Sequence, residues 1–234
     1  MRAYVINLAR RPDRLSRIKV RLDQCCIKWT VISAIDAEDL GQLPPGTLVT
    51  PAEAACWLSH QRMFEHFLST EEDFGLALED DAVPDPSLPW PLVLTELQDF
   101  MSQTPLDYLQ IGTVGVAYRS ALWRRLAGPL ASHSAHCTAR VANRKLGVIL
   151  GASSAGTHAY IFSRAFAQNV IHLNNPVWVG ADGFYDRLAT AMRLSRVLKM
   201  GRLIENLAVQ ESRASRASQI DSDVLPAARG PYHL

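Results

Sequence analysis

Ala3 to Leu8 is an apolar run interrupted only by Asn7, and Arg11 to Leu22 after it sets Leu15, Ile18, Val20 and Leu22 among charges. The first predicts a buried strand and the second an amphipathic helix. Trp29 to Ile35 predicts another strand, so the chain opens as β-α-β, the right-handed unit of parallel sheets. Pro44-Pro45-Gly46 marks a surface loop. Thr50-Pro51-Ala52-Glu53 then has the form of a capping box with proline at the first helical position. The helix it opens runs from Pro51 to about Thr70, with Cys56, His60, Phe64 and Phe67 at helical spacing.

Phe74 to Leu78 is a short apolar strand that runs straight into Glu79-Asp80-Asp81. Pro84, Pro86, Pro89 and Pro91 enforce a loop, Leu92 to Met101 predicts a helix, and Asp107 to Gly112 a strand. From Thr113 to Ala155 the residues are rich in Gly, Ser, Ala and Arg without a sustained period, the mark of a long insertion or acceptor loop. Thr157 to Phe162 resumes as a strand, and Arg164 to Leu173 and Asp182 to about Met192 follow as helices. The expectation is one α/β domain over residues 1–212, a mostly parallel central sheet flanked by helices, with 213–234 a flexible tail.

Composition narrows the class without defining it. At 234 residues, 48% apolar and 20% charged, the chain is long enough to bury a core without disulfides or a structural metal. Its 24 basic and 23 acidic side chains leave a net charge of +1, which excludes a generally basic nucleic-acid binder. Four cysteines, two of them adjacent at Cys25 and Cys26, make no disulfide framework and fit a reducing compartment. The apolar opening is followed by Arg10-Arg11-Pro12-Asp13-Arg14 rather than a small-residue cleavage site, so no export signal is expected. The longest stretch free of Lys, Arg, Asp and Glu, Leu146 to Ser163, contains glycines and serines and is a poor membrane span. These features predict a cytoplasmic protein.

Candidate chemistry starts at Glu79-Asp80-Asp81. Three adjacent carboxylates at the end of an apolar strand repel one another unless a cation neutralises them. Hard oxygen ligands suit Mg²⁺ or Mn²⁺ shared with phosphate oxygens, and ligands of open α/β sheets bind beyond the carboxyl ends of strands. Glu53, Cys56 and His60 share one helical face at metal-ligand spacing, but Cys56 reads better as a small core residue and His60 as a hydrogen-bonded helix histidine. In Trp178-Val179-Gly180-Ala181-Asp182-Gly183-Phe184-Tyr185-Asp186, Asp182 is either a helix cap or a general base, and the aromatic residues either stack on a sugar or fill the core. Arg187, Arg193, Arg196, Lys199 and Arg202 form a basic run, read as a solvated helix face or as an attraction to anionic lipid head groups or an acidic glycan.

Several segments, in order, carry a resemblance. They are Val5-Ile6-Asn7-Leu8 with Arg11 and Asp13-Arg14, Ala34-Ile35-Asp36, Thr50-Pro51-Ala52-Glu53 continuing to Cys56 and Ser59-His60, and Leu78-Glu79-Asp80-Asp81. Asp107-Tyr108-Leu109-Gln110-Ile111-Gly112, Gly156-Thr157-His158-Ala159-Tyr160-Ile161, and Asp182 after Pro176-Val177 complete the set. Together they resemble glycosyltransferase family 25, the group that includes bacterial lipopolysaccharide or lipooligosaccharide glycosyltransferases and the collagen galactosyltransferases. The resemblance implies a GT-A-like (Rossmann-like) nucleotide-sugar-binding fold, a UDP-sugar donor, and Mn²⁺ or Mg²⁺.

Residue by residue, it implies Asp81, with Glu79 or Asp80, as the metal-holding acids; Glu79 and Asp81 are taken as ligands and Asp80 as a donor-site group. It makes Asn7, Arg11 and Arg14 nucleotide contacts, brings Asp36 to the ribose or base, and puts Ser59 and His60 near the donor. Asp182 becomes the general base of an inverting transfer of galactose or glucose to a saccharide or lipid-linked saccharide, at the cytoplasmic face of the inner membrane. Ala37 and Ala55 stand where the family often has glycine, and His158 where it has a small residue. Two other readings stay open: a metal-dependent nucleotidyl or phosphoryl transferase, weakened by the lack of a Gly-rich phosphate loop, and a carbohydrate-binding protein without catalysis.

Overall fold

The computed structural model describes residues 1–43, 45, 47–104, 106–113, 137–153, 156–195 and 198–211, with the backbone alone at 192–195. Strand β1 (Arg2–Asn7), helix α1 (Pro12–Gln24) and β2 (Trp29–Ser33) form the expected opening unit, with β1 and β2 parallel. A 3₁₀ turn at Ala37–Leu40 leads to α2 (Pro51–Leu68), whose start is the expected capping box: Thr50 accepts from Glu53 N and Glu53 accepts from Thr50 N. Strands β3 (Phe74–Glu79) and β4 (Ala82–Pro84), helix α3 (Trp90–Gln103) and β5 (Tyr108–Gly112) follow. Then come β6 (Cys137–Val141), β7 (Arg144–Leu150), β8 (Ala159–Ser163), α4 (Arg164–Val170), α5 (Ala181–Ser195), β9 (Met200–Leu203) and β10 (Ala208–Gln210).

Eight strands join in one sheet, in the order β2-β1-β3-β8-β5-β9-β7-β6. It is mixed, which corrects the expectation of a mostly parallel sheet. Among the described residues only β1–β2, β1–β3 and β5–β9 are parallel; β8 runs against both β3 and β5, and β7 runs against β6 and β9. Two of the four antiparallel pairings come from the reversed course of β8, and the other two from a hairpin inside the expected loop region. Ala142 (φ 47°) and Asn143 (φ 63°) turn β6 back onto β7, both in the left-handed region that two-residue hairpins use. Glu96 of α3 accepts from Ala142 N at 2.6 Å and holds this unfavourable alanine in place. Residues 114–136 of the expected acceptor loop, and the expected tail at 213–234, lie outside the described residues.

Alternating side chains on the central strands sort the core into two layers. Ala3, Val5, Leu76, Leu78, Leu109, Ile111 and Ile161 face α1 and α3, packing with Ile18, Leu22, Val93, Leu97 and Met101. On the other face, Tyr4, Ile6, Ala77, Tyr108, Tyr160 and Phe162 pack with Trp57, Phe64 and Phe67 of α2, Phe166 of α4, and Phe184 and Tyr185 of α5. Burial on both faces explains why these strands read as continuous apolar runs.

Candidate functional site

Because β8 is antiparallel to β3, its start lies beside the end of β3, and Glu79 N donates to His158 O at 3.1 Å. Asn7, Glu79 to Asp81, and Thr157-His158 therefore meet at one sheet edge. Gln110 of β5 donates to Gly156 O at 2.6 Å and fixes the segment that carries Thr157. The start of α5 abuts the start of α2, so closely that a Cβ on Gly180 would stand 3.3 Å from Glu53 Cβ. That contact brings Asp182 to the same edge as Cys56 and His60.

The acids there have three different environments. Asp80 is buried, its Oδ2 accepting from Asn7 Nδ2 at 2.8 Å and its Oδ1 from Arg14 Nη1 at 3.2 Å. Burial still pushes its carboxyl up, against the pull of Arg14 and Asn7. Asn7 also donates to Arg11 O at 3.2 Å, so three of the expected nucleotide contacts are engaged with one another through backbone or side chain.

Glu79 faces the α2 layer. Its Oε1 accepts a short hydrogen bond from Thr157 Oγ1 and lies 3.7 Å from His60 Nε2. Burial is the largest single influence on Glu79 and raises it, but His60, Thr157 and His158 together outweigh burial, and the carboxyl is held low. His60 is itself buried, with Nδ1 2.7 Å from Tyr160 Oη, which is 2.9 Å from Tyr185 Oη. A chain of polar groups thus runs from α5 through β8 and α2 to the end of β3.

Asp81 points elsewhere. Gln210 of β10 donates to its Oδ2 at 2.9 Å and Glu211 N to its carbonyl at 2.7 Å, while Oδ1 is buried without a hydrogen-bond partner among the described residues. Burial first, and then the charge of Glu79, pushes the Asp81 carboxyl up to about 7. Asp182 sits in the first turn of α5, inside the helix rather than at its cap. Its surface is open to solvent, yet it is ringed by enough protein that desolvation, followed by the Glu79 charge, raises its carboxyl.

A divalent ion of the kind the resemblance implies can be tested against these donors. Asp81 fits, because an unpartnered buried carboxylate oxygen next to a second acid is the donor a hard cation satisfies. Glu79 fits beside it. Asp80 does not, since both of its oxygens are already bound. A second donor set lies on the far side of Glu79: the ligand atoms of Cys56, His60 and Glu79 lie within 4.8 Å of one another. The sequence pairing of Cys56 and His60 with Glu53 is corrected here, because the Glu53 carboxylate is held by Thr50 in the capping box. Burial, followed by the charges of Glu79, Asp182 and Asp81, pushes the Cys56 thiol well up.

Other expected site residues have local work. Ser59 donates to Ala55 O at 2.7 Å and accepts from Ile35 N at 2.8 Å, tying α2 to the segment after β2. Asp36 caps the 3₁₀ turn through Glu38 N and pairs with Arg10 at 2.5 Å, which lowers its carboxyl. Arg11 pairs with Asp13 at 3.0 Å. Phe184 and Tyr185 are core, whereas Trp178 is 47% exposed under the Arg187 guanidinium. The basic run is not one helix face, because Arg202 lies in β9. Sequence reading missed Gln210 and Tyr160 as site neighbours, and only an apolar strand after Thr157 hinted at the second; Tyr185, read as a sugar-stacking or core aromatic, is core with its hydroxyl on Tyr160.

Glu79, Asp80 and Asp81 stand at the carboxyl end of β3, the side of an α/β sheet on which ligands of such folds bind. The chain belongs to glycosyltransferase family 25 (LPS biosynthesis protein), whose family model matches residues 1–185. No curated protein matches it. Among solved structures, "Crystal Structure of A197 from STIV" is similar at 12% identity and TM-score 0.40, covering 91% of this chain and 92% of that one. A likeness that weak carries no functional information. No helix among the described residues is long and apolar enough to cross a membrane.

Proposed function

We propose that residues 1–212 form a GT-A-like domain that transfers a hexose, galactose or glucose, from a UDP-sugar to a saccharide or lipid-linked saccharide at the cytoplasmic face of the inner membrane, with acceptor choice carried by 113–155. The observation that carries this reading is the convergence of Glu79, Asp81 and Asp182 at one sheet edge in a family 25 chain. Glu79 and Asp81 would hold Mn²⁺ or Mg²⁺, which supplies Lewis-acid neutralisation of the departing diphosphate, worth several kcal/mol. Asn7, Arg14 and Asp80 keep the ends of β1 and β3 in register beneath the donor.

In the transfer, the acceptor oxygen forms a bond to the anomeric carbon as the bond from that carbon to the diphosphate breaks, with inversion. The acceptor proton passes to Asp182, whose raised carboxyl is a stronger base than an ordinary aspartate. A raised pKa fits that role better than a cap would.

The test is incubation of the chain with a panel of radiolabelled nucleotide sugars and Mn²⁺, read as donor hydrolysis. Release of hexose from one UDP-sugar is expected. Release of phosphate or nucleotide from a donor without sugar transfer would favour a phosphoryl or nucleotidyl transferase, and no release from any donor a binding protein.

A further inference from the structure

Cys56 and His60 are four residues apart on α2, so their side chains leave one helix face together, and Glu79 meets them from the end of β3. All three ligand atoms lie within 4.8 Å of one another, and His60 Nε2 stands 3.7 Å from Glu79 Oε1, close to the spacing of two ligands on one tetrahedral ion. His60 is 1% exposed, and its Nε2 has no hydrogen-bond partner among the described residues. A buried ring nitrogen without a hydrogen bond, aimed at a carboxylate and a thiol, is costly unless something occupies the space between them.

The outer groups are also in place. Metal-bound histidines characteristically donate their other ring N–H to a fixed oxygen, which orients the ring and sets the tautomer. Here His60 Nδ1 lies 2.7 Å from Tyr160 Oη, and Tyr160 is held in turn by Tyr185. A cation at Nε2 would put the ring proton on Nδ1, where Tyr160 Oη is placed to accept it. Thr157 anchors the carboxylate from the other side.

We propose that Cys56, His60 and Glu79 form a binding site for a borderline or soft divalent cation of the Zn²⁺ class, separate in chemistry from the hard-ion set of Glu79 and Asp81. Thiolate and imidazole select zinc-like ions over Mg²⁺ and Mn²⁺. Three protein donors leave a fourth position for water, the arrangement of an open site rather than a closed structural one. The site shares Glu79 with that set, but Cys56 and His60 belong to it alone, and its cobalt test does not depend on the transferase reading.

Co²⁺ is the probe, added to the full reduced chain in a buffer without competing thiols. The expected result is a thiolate-to-cobalt absorption band that Zn²⁺ removes at one equivalent and excess Mg²⁺ does not. Cys56→Ser should abolish the band and weaken Zn²⁺ binding at least about tenfold, the lower end of what even outer partners contribute. Cys26→Ser, at an exposed cysteine, should keep it. Absence of the band in the unmodified chain overturns the proposal, with no variant needed to read it. So does a band that survives Cys56→Ser or disappears in Cys26→Ser.

Discussion

Asn7 Nδ2 lies 2.8 Å from Asp80 Oδ2, joining the carboxyl end of β1 to the carboxyl end of β3 within the buried layer. The contact links two segments 73 residues apart and spends the middle acid of Glu79-Asp80-Asp81 on structure. With Arg14 completing the cluster from α1, both Asp80 oxygens are engaged, while Glu79 stays near enough to Asp81 for its charge to raise that carboxyl. Glu79 turns toward α2 and Asp81 toward β10. One short acidic run therefore serves three surfaces.

Removing Arg14 tests that division. Arg14→Leu leaves Asp80 buried with one hydrogen bond fewer and no counter-charge, a loss of about 3–5 kcal/mol for a broken buried pair. At roughly 2–4 °C per kcal/mol for a chain of this size, the melting temperature should fall by on the order of 10 °C at neutral pH. The loss should shrink as pH falls toward the ordinary carboxyl range, where Asp80 is neutral in both states. Thermal melts of both chains across that range decide it; a pH-independent loss would point to packing alone.

Asp81 makes an opposite prediction. Its folded carboxyl is raised to about 7, so the folded state binds the proton more tightly than the unfolded chain, and stability falls as pH rises from about 4 to 7 before levelling. Asp81→Asn lacks this penalty. In chelator, the variant should be the more stable chain at about pH 8, by a few kcal/mol, and the gap should narrow at about pH 5. Adding Mn²⁺ should stabilise the unmodified chain and leave the variant where it was, as read by melting temperature.

Gly112 lies where β5, β8 and β10 crowd together. A Cβ there would stand 2.6 Å from His158 Nε2 and 2.8 Å from Ala208 O. The ring can shift, but the carbonyl belongs to the backbone of β10, which also positions Gln210 against Asp81. Gly112→Ala should cost about 1–3 kcal/mol by overpacking, seen as a lower urea midpoint with an unchanged slope. His158 is thus accommodated by having no side chain opposite it at Gly112.

Much of this frame was legible because the controlling signals are local. The runs at Ala3 and Phe74, the capping box at Thr50 and the strand-to-acid junction at Leu78-Glu79 each declare themselves within a few residues. The hairpin of β6 and β7 did not, since its turn uses Ala142 and Asn143 without glycine or proline, and the stabilising contact comes from Glu96 far along the chain. Strands β4 and β10 are three residues each, too short for any period to show. At the site, helical spacing correctly joined Cys56 to His60 but offered Glu53 as their partner. The capping box takes Glu53, and only the packing of α2 against β3 supplies Glu79 instead.

Asp182 is the residue on which the proposed chemistry turns. It stands in the first turn of α5, where the helix N-terminus favours the charged form, yet desolvation by the surrounding protein and the Glu79 charge win and raise its carboxyl. A residue needed only to begin the helix would tolerate Asn, which fits the same turn and keeps a polar side chain. A general base would not, because the amide cannot take a proton. Asp182→Asn should therefore lower kcat by about 10²–10⁴-fold while leaving the donor KM and the melting temperature close to those of the unmodified chain. Turnover by the unmodified chain should fall as pH drops through the raised Asp182 titration, and the residual rate of the variant should lack that limb. An unchanged kcat in Asp182→Asn would assign the base to another group at the edge, with Asp182 left as a helix-start acid.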